Sequence, residues 1–134
     1  AGEIERARRF GECIGLCFQI KDDIFDYYES KEIGKPTGND MHEGKLTLPV
    51  LRALNTTNDA EAARIAVLVK QGHASAQEIA WLVQFPKDHG GIESATQTMY
   101  SLRDEALGLL SDLPDTDVKQ ALVAYLDYVV KRDK

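Results

Sequence analysis

Asp22, Asp23 and Asp26 put three carboxylates within five residues of a largely apolar run, Phe18-Gln19-Ile20-Lys21-Asp22-Asp23-Ile24-Phe25-Asp26-Tyr27. On a helix, Asp22 and Asp26 stand one turn apart on the same face, and Asp23 lies about 100° round from Asp22. Like charges at that spacing repel. Water offsets the repulsion if the face is solvated. A divalent cation offsets it if the face lines a cleft. Oxygen-only ligands suit Mg²⁺, which keeps several waters and takes one or two carboxylates together with substrate phosphates.

Downstream come Gly34-Lys35-Pro36-Thr37-Gly38-Asn39-Asp40 and then Glu43-Gly44-Lys45-Leu46-Thr47-Leu48-Pro49, a turn-rich loop with two lysines. Carboxylates for a cation and ammonium groups for the remaining phosphate charge are what a metal–diphosphate site needs. The spaced pattern Phe18-Gln19-x-x-Asp22-Asp23-x-x-Asp26, Gly34-Lys35-x-x-Gly38-x-Asp40, Glu43-Gly44-Lys45-x-Thr47-x-Pro49 resembles the trans-isoprenyl diphosphate synthases, or polyprenyl synthetases. It resembles the second of that family's two aspartate-rich motifs, together with the family's sequence C-terminal to that motif. The specific match runs over residues 9 to 54. The rest agrees more loosely, including the basic end Lys131-Arg132-Asp133-Lys134. The family's enzymes are over twice this length, so the first aspartate-rich motif and most of the isopentenyl diphosphate site lie outside this chain.

The resemblance implies an all-α fold, an antiparallel helical bundle forming the C-terminal part of the isoprenoid synthase fold. It implies prenyl transfer: Mg²⁺ ions bridged between two aspartate motifs grip an allylic diphosphate, which ionises. The double bond of isopentenyl diphosphate then attacks, and a proton is lost. By matching position, Asp22 is a direct metal ligand, with Asp23 and Asp26 ligating through water or supporting it. Gln19 orients near the diphosphate, Lys35 and Lys45 contact its oxygens, Asp40 supports the lysine loop and Phe18 faces the isoprenoid. The tail, through Arg132 and Lys134, closes over the site, although Asp133 interrupts its basic run. A homodimer in the cytoplasm is expected. The chain leans toward long-chain, octaprenyl-type synthases, which share the Glu-Gly-Lys-x-Thr-Leu-Pro wording. Alone it should be inactive. Two rivals remain: a non-catalytic regulatory partner of a synthase, which has no need of all five of Asp22, Asp23, Asp26, Lys35 and Lys45, and a terpene cyclase, which the lysine loop fits less well.

The elements that must carry these groups are helical throughout. Phe10, Ile14, Cys17, Phe18, Ile20, Ile24, Phe25 and Tyr28 recur at three- and four-residue intervals, predicting one helix over 3–29 buried on much of its girth. Gly11 and Gly15 share the Asp22 face, either for close helix packing or as the wall of a groove. Residues 31–44 read as loop. A short helix begins near Thr47, its expected cap, with Pro49 in the first turn. Asp59 caps a helix over 60–71 ended by Gly72, and Ser75-x-x-Glu78 is a capping box. That fourth helix should run through about residue 88, with Pro86 distorting or shortening it and Gly90-Gly91 closing it. A fifth helix spans 92–112, and Pro114 should start the last.

With 134 residues the chain makes a single helical domain at most, with 43% hydrophobic residues, ample for a core. The formal charge of −6 argues against a nucleic-acid binder, which needs basic patches. No apolar run approaches the about 18 residues of a membrane span. Cys13 and Cys17 share a helix face and read as small buried apolar residues in a reducing compartment. His42, His73 and His89 lack the spacing of zinc ligands.

Overall fold

In the computed structural model, which describes residues 2–28, 37–111 and 113–132, every regular element is a helix. In chain order they are α1 (Gly2–Phe25), α2 (Asn39–His42), α3 (Leu48–Thr57), α4 (Ala60–Gln71), α5 (Ala76–Asp88), α6 (Gly91–Leu110) and α7 (Asp117–Lys131). They fall into two compact units, one of residues 22–96 and one of residues 1–21 with 97–134.

The unit formed by 1–21 and 97–134 is a helical bundle of α1, α6 and α7. Phe10 and Cys13 of α1, Ala106 and Leu110 of α6 and Leu126 of α7 make its core. Arg9 grips the Glu105 carboxylate, and the Cys17 thiol donates to the Met99 carbonyl at 3.4 Å. As numbers rise along α1 they fall along α6, so those two helices are antiparallel. Both thiols are buried, as expected, and burial pushes the Cys17 thiol up to about 11. The predicted wide burial of α1 is not met within this chain. Phe10, Cys13, Cys17 and Ile20 are buried, while Leu16 and Phe18 are exposed. A Cβ on Gly11 or Gly15 would meet nothing, so no close packing occurs there among the described residues.

In the unit of residues 22–96, α5 packs on α3 and α4, and α2 on α4 and α5. Val50, Ala53, Ile65, Val69, Leu82 and Phe85 fill its interior. Gly91 opens α6 where a Cβ would lie 2.2 Å from the Pro49 carbonyl oxygen and 2.7 Å from Pro86 Cβ, so only glycine lets the backbones approach.

Helices α4 and α5 start and stop as predicted. Asp59 Oδ1 accepts from the Ala62 N–H, Gly72 is left-handed, and the Ser75–Glu78 capping box is fully formed. Four expectations fail. First, α1 ends at Phe25 rather than at 29, closing in tight turns where Tyr27 and Tyr28 N–H groups donate to the Ile24 and Phe25 carbonyls. The helical period therefore lapses, and Tyr27, not Tyr28, turns inward, at 2% against 44% exposure. Second, the loop contains helix α2. Third, Pro86 sits inside α5 without shortening it, and the helix reaches Asp88, the end expected for it. So near the C-terminus the proline forfeits a single hydrogen bond, and its ring is buried. Fourth, α7 starts at Asp117 because Thr116, not Pro114, caps it through the Lys119 N–H.

Candidate functional site: an acidic helix end and the segment it holds

Asp22 is exposed near the end of α1, and Asp23 is partly buried beside it. Asp26 lies just past the helix, in the turn. Its carbonyl accepts from the Gly38 N–H at 2.7 Å, and its carboxylate oxygens accept from the Asn39 and Asp40 N–H groups, each at 3.1 Å. Gly38 is the residue ahead of α2 and has no side chain to cap it. It is left-handed, with φ 77°, and a Cβ there would strike Val83 at 2.5 Å. Asp26 supplies the missing cap from a distant part of the chain.

Tyr27 does the same for α3. Its hydroxyl accepts from the Val50 N–H at 3.3 Å and shares a 2.8 Å hydrogen bond with Thr47 Oγ1. Thr47 stands at the expected N-cap position, but its hydroxyl makes no cap bond to its own helix. Burial holds the Tyr27 phenol well above its ordinary range.

Between the two caps lie Asp40 and Lys45. The Asp40 carbonyl accepts from the Lys45 N–H at 2.8 Å, and the Lys45 ammonium is exposed, 3.5 Å from Glu43. Burial raises the Asp40 carboxyl above the ordinary range, and the charges of Asp26 and Asp23 add to this; Lys45 offsets it in part. Asp40 thus sits in the negative field of the aspartate-rich motif.

The structure therefore ties Asp26 to the segment that carries Asp40 and Lys45, and the charge of Asp23 reaches Asp40. One turn before Asp22 on α1 are Gln19, exposed, and Phe18, whose ring lies 4.0 Å below the Arg132 guanidinium. Arg132 also donates to the Phe18 carbonyl at 3.2 Å, so the basic end does reach α1. Lys35 and Lys134 lie outside the described residues. Tyr27, and its hydrogen bond to Thr47, are what sequence reasoning missed. The signal available was a tyrosine directly after the last aspartate, but its inward turn depends on where α1 stops.

Among the described residues no three His, Cys, Asp or Glu side chains close on one point as a metal cage. The donors fit Mg²⁺ in the manner of an ion held by one or two carboxylates and otherwise by water and phosphate. The Asp22–Asp23 pair offers such oxygens, and the charge that raises Asp40 is charge a cation would neutralise.

The family model described as polyprenyl synthetase matches residues 1–85. The chain belongs to the polyprenyl synthetase family. Octaprenyl diphosphate synthase of Escherichia coli is 31% identical over 126 residues, 93% of this chain and 39% of that protein. Among solved structures, geranylgeranyl pyrophosphate synthase from Bacteroides thetaiotaomicron is similar at a TM-score of 0.90 and 55% identity, over 97% of this chain and 42% of that one. Geranylgeranyl pyrophosphate synthase from Corynebacterium glutamicum, solved with calcium and isoprenyl diphosphate, is similar at 0.80 and 33%, over 98% and 41%. The chain thus spans about two fifths of the length of these polyprenyl synthetase relatives. Its fold is the all-α fold of the isoprenyl synthases. The relatives' names range from geranylgeranyl to octaprenyl, so they do not single out a product length.

Proposed function

We propose that this chain is the C-terminal part of a Mg²⁺-dependent prenyltransferase that condenses an allylic diphosphate with isopentenyl diphosphate. The observation that carries the reading is the clasped segment: Asp26, the last residue of the aspartate-rich motif, holds the backbone of Asn39 and Asp40. Asp22 is the proposed direct metal ligand, and Asp23 and Asp26 support it. Bound Mg²⁺ would supply Lewis-acid stabilisation of the departing diphosphate. Lys45, with Lys35, balances the remaining phosphate charge, and Gln19 orients the diphosphate. Phe18 offers an apolar face to the isoprenoid, with Arg132 and Lys134 at the tail. The protein's work in this reaction is positioning, charge stabilisation and exclusion of water.

The 134 residues alone should be inactive, because one aspartate-rich motif covers one side of the cations and leaves the cleft open to water. We place the complete protein in the cytoplasm as a homodimer. The free thiols Cys13 and Cys17 agree with a reducing compartment, and among the described residues no helix is long and apolar enough to cross a membrane.

The test is steady-state prenyl transfer by the complete protein with farnesyl diphosphate, isopentenyl diphosphate and Mg²⁺. Asp22→Ala should lower kcat by orders of magnitude, since metal stabilisation of the leaving group contributes several kcal/mol. Lys45→Ala should act mainly on KM for the allylic substrate. A wild-type protein without transfer activity would favour the regulatory-partner reading instead. An Asp22→Ala variant with near-normal turnover would remove Asp22 from the site.

A further inference from the structure

Two consecutive residues just past α1 perform one task at two places. A helix leaves its first N–H groups without intrahelical partners, and a cap residue within the same few positions normally supplies the acceptor. Neither α2 nor α3 does this for itself. Gly38 has no side chain, and the Thr47 hydroxyl turns to Tyr27. The acceptors come instead from Asp26, through both carboxylate oxygens, and from the Tyr27 phenol.

We infer that Asp26 and Tyr27 are paired positioning residues, capping α2 and α3 from outside so that the intervening segment, with Asp40 and Lys45, is held against the turn that follows Asp22 and Asp23 in the chain. The holding rests on these hydrogen bonds alone; what the held groups do rests on the prenyl-transfer reading.

Each bond has a physical reason to be strong. The Asp26 carboxylate is half-buried and accepts two N–H donors, a charge-assisted pairing. A carboxylate has about four lone-pair positions, so two remain after these bonds. The Tyr27 phenol is 2% exposed and would be costly to bury unpaired; Thr47 and Val50 satisfy it. Between the caps, the Lys45 N–H closes onto the Asp40 carbonyl at 2.8 Å. The segment is thus fixed at 38–40, at 47–50 and across its middle. Because the capping groups adjoin Asp22 and Asp23 in sequence, a shift of one set displaces the other.

The experiment uses the complete protein and the variants Tyr27→Phe, Thr47→Val, their double, Asp26→Asn and Asp26→Ala. Amide hydrogen exchange is followed in peptides covering 37–52, alongside kcat and KM for farnesyl diphosphate and isopentenyl diphosphate. Tyr27→Phe removes only the hydroxyl. It should speed exchange around Val50 and lower kcat/KM by about 10–100-fold, the scale of a displacement near 1 Å, with the rest of the exchange map unchanged. The double variant should fall no further than Tyr27→Phe. Asp26→Asn keeps one acceptor and should speed exchange at Asn39 and Asp40 while retaining more activity than Asp26→Ala. If Tyr27→Phe fails to fold, Asp26→Asn carries the same test at the other cap. Unchanged exchange over 37–52 together with wild-type kcat/KM would overturn the inference. Faster exchange in variants of a protein that transfers no prenyl group would uphold the clasp and sink the prenyl-transfer reading.

Discussion

Helix α5 and the pair α2 and α3 meet the same requirement by opposite routes. At the start of α5, Ser75 Oγ accepts from the Glu78 N–H at 3.1 Å, and Glu78 reaches back to the Ser75 N–H at 2.8 Å. Donor and acceptor are three residues apart, and the arrangement is complete within one turn. At α2 and α3 the acceptors lie 13 to 23 positions away, on Asp26 and Tyr27. A local cap stabilises its own helix and says nothing of its neighbours. A distant cap ties two segments together, and here one of them is the aspartate-rich motif. The difference marks which helix starts belong to the scaffold and which to the candidate site.

The largest loss of stability is expected at Gly38, the cap position without a side chain. Gly38→Ala would put an L-residue at φ 77° with its Cβ 2.5 Å from Val83. It should cost about 2–5 kcal/mol, from left-handed strain of about 1–2 and overpacking of about 1–3. Urea denaturation of the complete protein reads this, and a change under about 0.5 kcal/mol, the range of an ordinary surface substitution, would contradict the geometry.

A smaller effect is expected at the local cap. Ser75→Ala should cost about 1 kcal/mol while kcat and both KM values stay at wild type. An activity loss comparable with that of Tyr27→Phe would erase the distinction between local and distant caps.

The smallest effects are in pH dependence, and the two regions have opposite signs. The Glu78 carboxyl is held below its ordinary 4.5, chiefly by the Ser75 backbone N–H and further by the Ser75 hydroxyl and Arg64. A depressed folded value gives stability that is present above the unfolded value and lost as pH falls through the folded one. Glu78→Gln should therefore flatten part of the acid limb of a stability–pH curve below about pH 4.5. Asp40 is raised, by burial and then by Asp26 and Asp23. Its contribution is present below the unfolded value and is lost as pH rises through the folded one. Asp40→Asn should remove that loss, making the metal-free protein slightly more stable at neutral pH than wild type. Melting curves at about pH 4 to 8 would show whether the two variants move the profile in these opposite directions.

Most of what neighbours in sequence settle was legible beforehand; the Thr116 cap of α7, where Pro114 was expected to open the helix, is the exception. The Asp59 cap, the Ser75–Glu78 box, the Gly72 stop and the all-helical periodicity each depend on groups within about one turn of helix. So does the placing of Asp22 and Asp23 near the end of one helix, because helical spacing alone sets their angles; Asp26 falls just past that end. The pattern of those aspartates with the Lys45 segment was likewise enough to point to the family that the chain's matches show. What the sequence by itself did not determine is where α1 ends, that Asn39–His42 is helical, that Tyr27 rather than Tyr28 turns inward, and that Arg132 stacks on Phe18. In each of these the partner is far along the chain: Asp26 with Asn39 and Asp40, Tyr27 with Thr47 and Val50, Arg132 with Phe18. Periodicity continued past Phe25 on paper. In the folded chain the carboxylate of Asp26 and the hydroxyl of Tyr27 find backbone N–H donors elsewhere, and those long-range bonds accompany the end of the helix. Such a choice is made only when the distant segments are already side by side, which is a property of the tertiary structure and not of any window of sequence.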